Sequence, residues 1–445
     1  MNPLKNILLI FLFLLSCFNS IKAKEVSVDE AQKVAENFYH ERLVNFQSEL
    51  SVSYENNSFI EYYPDNSNQF VYIFLVKEKP GFVIVSADDN AYPILGYSLN
   101  NYIDDENIPM GFMALLKNYN QQIEYIKQNQ VPSSQNIIET WNRYNQDKSD
   151  FNKDIKSVSP LVNTTWSQGT YYNSDCPVDV DGPDGHALLG CVATAMAQIM
   201  NYHQHPDQGN GSHSYYHPDY GTITADFGSA SYNWSNMPIY ANGYNDALAQ
   251  LGFHCGVSVE MNYGANASGA YTSDVVDALV SYFDYSNSVQ ILSKSSYSDA
   301  AWENLLIDEI DHQRPIEYHG YGPDGGHAFV LDGYQGASNN HFHFNWGWGG
   351  SADGYFYVSN LNPGGYTFND GQGAVIGIEP NGGGNSDLEA PQNLMVNEEG
   401  YATWNAPDVP TYLPVWLQYD DGVNVDAIGG PTEFSYAAKW DPGQL

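Results

Sequence analysis

Gly190-Cys191-Val192-Ala193-Thr194-Ala195-Met196-Ala197-Gln198-Ile199-Met200-Asn201-Tyr202-His203 sets a cysteine at the start of an apolar helical pattern. Residues 192, 195, 196 and 199 recur at helical spacing. The glycine before Cys191 marks a tight turn into that helix. A helix N-terminus offers unpaired N–H groups and the positive end of the dipole, and both favour a thiolate. A thiolate is the nucleophile of a cysteine hydrolase.

A cysteine nucleophile needs a base, and one stands far downstream. Gly325-Gly326-His327-Ala328-Phe329-Val330-Leu331-Asp332-Gly333-Tyr334 reads as a glycine turn feeding a strand, with His327 at its start. His341-Phe342-His343-Phe344-Asn345-Trp346-Gly347-Trp348-Gly349-Gly350 follows. Alternation there puts Phe342 and Phe344 on one face and His341, His343 and Asn345 on the other. Two adjacent strands are expected to present His327 and Asn345 side by side. The imidazole would take the Cys191 proton and return it to the leaving amine. Asn345 would fix its tautomer, as in Cys-His-Asn triads, and Trp346 would shield that bond from water. Two candidates offer a hydrogen bond to the oxyanion: the Cys191 backbone N–H and the side-chain amide of Gln168, in Thr165-Trp166-Ser167-Gln168-Gly169.

The 445 residues suggest two or three domains. Fifty-three acidic against 16 basic residues give a formal charge of −37, which disfavours nucleic acid as a partner. Between Leu161 and Pro380 the only basic residues are Lys294 and Arg314, while most of the others lie between Lys24 and Lys156. That asymmetry fits a relatively basic leading segment docked on an acidic body, and equally a secreted protein kept soluble by its charge. Lys5 and the apolar run Ile7 to Leu15 read as a secretory signal over 1–23, cleaved after Ala23. A lipoprotein-type box at Leu14-Leu15-Ser16-Cys17 is the alternative, and no later run is long enough for a transmembrane anchor. The mature chain then keeps Cys176, Cys191 and Cys255, an odd count that leaves at least one thiol free; a Cys176–Cys255 disulfide is possible.

Residues 24–155 form a first unit. Val28 to Tyr39 is an amphipathic helix with Asp29 as a plausible cap. Phe70 to Val76 and Gly81 to Ser86 read as strands, and Phe112 to Gln128 as a second helix. Residues from about 133 to 157 have the polar composition of an exposed linker open to proteolysis. A second unit spans 156–380, a glycine-rich linker 381–388, and 389–445 reads as a partial β-sandwich module that ends abruptly.

Together these pieces resemble a streptopain-family cysteine peptidase precursor. The resemblance rests on Trp166 to Gly169, Tyr172-Asn173, Cys176-Pro177, Gly190 to His203, Gly325 to Gly333, His343 to Gly350 and Asp353 to Phe356. In the first unit Gly81 to Asp89 and Pro93 to Ser98 resemble that family's inhibitory prosegment. The resemblance implies an α+β, papain-like fold: a helix bearing the cysteine against an antiparallel sheet bearing His327 and Asn345. It implies a secreted zymogen activated by removal of its own prodomain, and a proteolytic activity on protein and peptide substrates without a cofactor. Carried over, Cys191 is the nucleophile, His327 the base, Gln168 the oxyanion donor, and Asn345 and Trp346 orient and cover the histidine. The Gly326 backbone would line the substrate cleft. A serine usual in the loop after Tyr263-Gly264 falls on Gly269, beside Ser268, so only a backbone contact is expected there.

Other features are read as structural. Asp179-Val180-Asp181-Gly182-Pro183-Asp184-Gly185 lacks the glutamate an EF-hand needs, since Gly190 stands at position twelve. The pairs His203/His205 and His341/His343 lack a matching ligand set, so no metal is assigned. Trp346 and Trp348 are read as shielding residues rather than a sugar platform, and Asp332 and Asp353 as turn caps. Two rivals remain at this level: transglutaminase- or amidase-type acyl transfer on the same fold, and an adhesin on an inactive peptidase scaffold.

Overall fold

The computed structural model describes residues 25–46, 59–62, 70–77, 79–104, 106, 108–146, 156–322, 325–336, 340–361, 371–382 and five short strands between 392 and 439. The signal and lipoprotein readings, residues 147–155 and most of the glycine-rich linker lie outside the described residues. The chain divides into two compact units at Ile378/Glu379.

The first unit opens with α1 (Val28–Phe46). Ala31, Val34, Ala35 and Phe38 are buried at helical spacing. Its cap is Ser27, whose Oγ accepts the Glu30 N–H at 3.3 Å, and not Asp29, which already lies within the helix. Four antiparallel strands follow: β1 (Phe59–Tyr62), β2 (Val71–Val76), β3 (Phe82–Ser86) and β4 (Ile94–Ser98). Helix α2 (Met110–Asn129) starts after Pro109, which stays extended, and ends at Gln130 in the left-handed region. The segment expected to be a linker contains α3 (Gln135–Asn145), capped by Ser134 and burying Ile137, Trp141 and Tyr144. Arg143 bonds Glu41 of α1 at 2.7 Å, so this apolar face is tied to α1 rather than solvated.

Strand β5 (Ser157–Val158) pairs with Tyr334 and Gln335 much later in the chain. Helix α4 (Cys191–His203) precedes the hairpin β6 (Ser212–His217) and β7 (Gly221–Asp226), then α5 (Asp246–Ser258) and α6 (Asp274–Tyr282). Strand β8 (Gln290–Ser293), α7 (Asp299–Asp311), β9 (Ile316–Gly322), β10 (Gly325–Gln335), β11 (His341–Asn345), β12 (Gly354–Phe356) and β13 (Gly373–Ile376) complete the unit. All these strands except the β6–β7 hairpin share one antiparallel sheet, in the order β1-β2-β3-β4-β12-β11-β10-β9-β13-β8, with β5 beside β10. Strands β1 to β4 thus continue the later strands through β4 and β12, where Tyr97 pairs with Tyr355 and Gly96 with Phe356.

The two faces of this sheet have different covers. On β10, Ala328 and Val330 join the cluster that holds Val192, Met196 and Met200 of α4 and Cys255 of α5. Phe329 and Leu331 point the other way, into the cluster with Phe112 of α2 and Trp302 of α7. The expected alternation on β11 holds: Phe344 packs on Phe356 and Trp346, while Asn345 reaches α4 and His341 packs on Phe38 of α1. Helices α1 and α4 therefore lie on one face, and α2 and α7 on the other.

The second unit contains five described strands. β14 (Gln392–Val396), β15 (Tyr401–Asn405) and β18 (Ala437–Lys439) form one antiparallel sheet, and β16 (Gln418–Asp420) pairs with β17 (Val425–Ala427).

Candidate active site

Cys191 is the first residue of α4, as its sequence pattern implies. Gly190 has φ 92°, and a Cβ there would meet Met261 Sδ at 2.6 Å, so only glycine fits the turn. The approach to it is fastened by Ser268, whose Oγ donates to the Leu188 carbonyl at 2.7 Å. Leu189 N–H donates to the Gln168 carbonyl at 2.9 Å, which brings Gln168 beside the turn into Cys191. The Gln168 side chain is buried, and its Nε2 has no hydrogen-bond partner among the described residues. It is an unspent donor at the mouth of α4.

The Cys191 sulfur accepts the Ala328 N–H at 3.5 Å. Burial pushes the thiol pKa up, and the N–H groups of Ala328, Val192 and Cys191 itself pull it back only in part. The thiolate expected from the helix end is thus not favoured in this state: desolvation outweighs the dipole.

His327 does not counter that desolvation. It precedes Ala328 on β10, so its ring leaves the opposite face of the sheet. It pairs with Gly320, and its ring lies beside Phe329 and Trp346 at 6.1 and 6.4 Å. Nε2 lies 3.0 Å from the Trp346 carbonyl and must carry the proton, since that carbonyl can only accept. Nδ1 is then the bare nitrogen, buried without a partner among the described residues. Burial pushes the His327 pKa down to about 4, so the ring is neutral. Gly111, in the first turn of α2, caps it: a Cβ there would lie 2.4 Å from His327 Cδ2 and 2.8 Å from the Trp346 ring. A cavity of about 50 Å³ between α2 and the sheet borders the imidazole.

Asn345 does not meet His327 here. Its register partner is Val330, which puts it on the Cys191 face. It exchanges hydrogen bonds with Gln198 at 3.1 and 3.2 Å and donates to the Thr164 carbonyl at 2.6 Å. Trp346 does lie beside the histidine; its indole N–H donates to Ala352 O at 3.0 Å and its backbone N–H to Asp353 Oδ1 at 2.8 Å. Gly326 is exposed opposite Tyr321. Gly269 is exposed too, but both of its backbone groups are spent on Asn262, at 2.9 and 3.2 Å. Cys176 and Cys255 are separate buried thiols, not a disulfide.

Two features went unread in the sequence, and a third was read too narrowly. Gln198, seven residues after Cys191 and so on the same helix face, is the partner of Asn345. Glu317 on β9 is fully buried on the Cys191 face, opposite Val330 and Val375, with neither carboxyl oxygen bonded among the described residues. Burial, reinforced by the Cys191 sulfur, holds its pKa well above the carboxylate range. Asp332 and Asp353, read as turn caps, anchor a buried network: Asp332 binds His343 Nδ1 at 2.6 Å and accepts the Val162 N–H at 2.8 Å.

Comparison with known proteins accounts for this layout. Residues 166–356 match the Peptidase C10 family, and residues 23–123 match the Spi protease inhibitor family. Streptopain of Streptococcus pyogenes is 35% identical over 342 residues, covering 71% of this chain and 81% of streptopain. The chain belongs to the peptidase C10 family. It is therefore a cysteine peptidase zymogen that brings its own inhibitory prosegment, with the papain-like α+β fold of that family. The solved Prevotella intermedia prointerpain A fragment is 34% identical, with a TM-score of 0.59 over 73% of this chain and 99% of that fragment. The thiol protease/hemagglutinin PrtT of Porphyromonas gingivalis is 30% identical over 390 residues, which span 82% of this C10 peptidase and 43% of PrtT. Among the described residues no helix is long and apolar enough to cross a membrane.

Proposed function

We propose that Cys191 and His327 form the catalytic dyad of this C10 peptidase and that the described state is its latent one. The observation that carries this reading is the Cys191–Ala328 contact: the sulfur touches the residue next to His327 while α2 holds the imidazole on the far face. In a strand, one residue of twist or slip exchanges the two faces. Gly325 and Gly326 give the backbone before His327 the freedom to make that change. Removal of α2 would uncover the ring and let it cross to the sulfur.

In the assembled site the imidazole takes the thiol proton and the thiolate attacks the peptide carbonyl. The oxyanion receives the Cys191 N–H and Gln168 Nε2. The imidazolium returns its proton to the leaving amine, and water then releases the acyl-enzyme. Asn345, held by Gln198 on the Cys191 face, is placed to receive the imidazole after it crosses. The Trp346 backbone and ring, which now hold His327, would cover it. Gly326 lines the cleft, and Gly269 contributes to it through shape alone.

The domain division follows the same logic. Ser157 and Val158 already pair with β10 and Leu161 N–H bonds Asp332 O, so the catalytic domain begins at about residue 156, and the prodomain of residues 24–155 is cut off after α3. The signal-like segment 1–23 supports export, and the 389–445 strands a separate β module. The natural protein substrate is one this cleft meets outside the cell.

The test is to incubate wild type beside Cys191→Ala and sequence the new N-termini. Wild type should yield a catalytic domain starting between residues 146 and 157 that digests casein, and alkylation should stop it. Undiminished processing and casein digestion by the Cys191→Ala chain would remove Cys191 from the role assigned.

A further inference from the structure

The prosegment touches a second histidine, far from the nucleophile. His341, at the start of β11, is 1% exposed and is enclosed by prodomain groups. Its Nε2 lies 3.1 Å from the Ile94 carbonyl of β4, and its ring lies 6.1 Å from Phe38 and 5.5 Å from Tyr97. The Arg42 guanidinium sits over those same two rings, 4.7 Å from Phe38 and 5.6 Å from Tyr97. The carbonyl fixes the proton on Nε2, and Nδ1 is buried with no partner among the described residues.

We propose that His341 makes the docking of the prosegment acid-labile, so that protonation of this one imidazole favours release of the prodomain from the catalytic domain. The proposal rests on the zymogen reading above. A second proton on this ring would place a cation at Nδ1, buried, without an acceptor, and beside Arg42. Such a charge is costly unless paired.

Among the described residues, the groups around the ring offer no compensation. From α1, Glu41 is the near acid, but it is spent on Arg143 at 2.7 Å and Tyr144 at 3.1 Å. From β4 and β12, Tyr97 and Tyr355 stack on each other as neutral phenols, since burial raises both. Tyr357, 6.1 Å away, is likewise held neutral. On β11 itself, His343 is bonded to Asp332 and keeps its own proton. Among the described residues, Arg42 is thus the cation whose charge acts on the ring.

Burial and the Arg42 charge push the His341 pKa down to about 3 in the docked chain. Departure of Ile94, Phe38, Tyr97 and Arg42 would leave the ring in water, where a histidine titrates near about 6.5. The docked pKa is the lower one, so this contribution to docking is full above about 6.5 and is lost as pH falls. Each pH unit between about 6.5 and about 3 weakens docking about tenfold.

The experiment uses the full chain with Cys191→Ala, which cannot process itself under the reading above. Hydrogen exchange of the β4 and β12 amides, corrected for intrinsic exchange, reports opening of the prosegment at pH 7.5, 6.5, 5.5 and 4.5. The amides of α5 serve as the reference for global unfolding. Opening at β4 and β12 should rise with falling pH more steeply than in His341→Phe, by about one decade per pH unit, while α5 stays protected. His341→Gln, a neutral polar ring substitute, should match His341→Phe and decides the matter if the phenylalanine does not fold. Equal slopes in parent and variants, or an acid rise shared by α5, would overturn the proposal. Casein digestion by processed wild type is read separately: its absence would remove the peptidase reading, whereas digestion with equal slopes removes only the role of His341.

Discussion

Gly111 of the prodomain sits directly against the His327 ring, close enough that a Cβ would lie 2.4 Å from Cδ2. A glycine in the first turn of α2 is what lets the imidazole be stored on the far face. Gly111→Ala should therefore loosen the latent state. Overpacking typically costs about 1–3 kcal/mol. Alanine gains at most about 1 kcal/mol of helix propensity in return, and less in a first turn. The variant should unfold at lower denaturant in the Cys191→Ala background, and with Cys191 intact it should process and alkylate faster than wild type. Unchanged stability together with slower processing would contradict this view of the lock.

Gln168 should matter for turnover and little for latency. Its Nε2 bonds nothing among the described residues of the zymogen, so Gln168→Ala breaks no hydrogen bond of that nitrogen there. Under the mechanism proposed above, the same change removes an oxyanion donor from the processed enzyme, which is worth about 10²–10³ in kcat. Steady-state kinetics should show kcat falling by about that factor with KM little changed. A loss confined to KM would place Gln168 in substrate binding instead.

Much of this was legible in the chain and some was not, for reasons visible in single residues. Cys191, His327, Asn345 and Gln168 stand out because each side chain has a chemistry that apolar or loop surroundings do not require. The parity of β11 was equally readable, since His341, His343 and Asn345 alternate with two phenylalanines. What sequence spacing cannot give is the register between strands. Asn345 lies opposite Val330, and His327 is three residues from Val330, an odd number, so the two side chains leave opposite faces. Helix α3 was hidden by composition: Ser, Asn and Gln between 133 and 146 read as a linker, and the burial of Trp141 and Tyr144 against α1 exists only in the fold. The α1 cap moved from Asp29 to Ser27 because both residue types cap well and only geometry separates them.

Asn345 should prove structural in the zymogen. It satisfies the Gln198 amide and the Thr164 carbonyl inside the protein. Asn345→Ala takes the acceptor from Gln198 Nε2 and the Gly347 N–H and the donor from the Thr164 carbonyl, at a cost of about 1–3 kcal/mol. Urea unfolding of the Cys191→Ala chain measures it. Combined with Gln198→Ala, the two losses should fall short of additive, by about 0.5–3 kcal/mol. Strict additivity would mean that the pair is not an energetic unit.

Glu317 should make the zymogen less stable as pH rises. Its carboxyl is fully buried, unbonded among the described residues, and held well above the carboxylate range by burial, with the Cys191 sulfur adding to the shift. The unfolded chain ionises this group near about 4.3, while the folded chain keeps the proton. Folded-state preference for the protonated form is thus complete below that value and is lost progressively as pH climbs toward the folded pKa. Glu317→Gln supplies a neutral group of nearly the same shape. The variant should match the parent at pH 4 and gain on it steadily between pH 5 and 8, measured by thermal unfolding in the Cys191→Ala background. Stability curves that run parallel across that range would show that Glu317 finds a charge partner the fold described here does not provide.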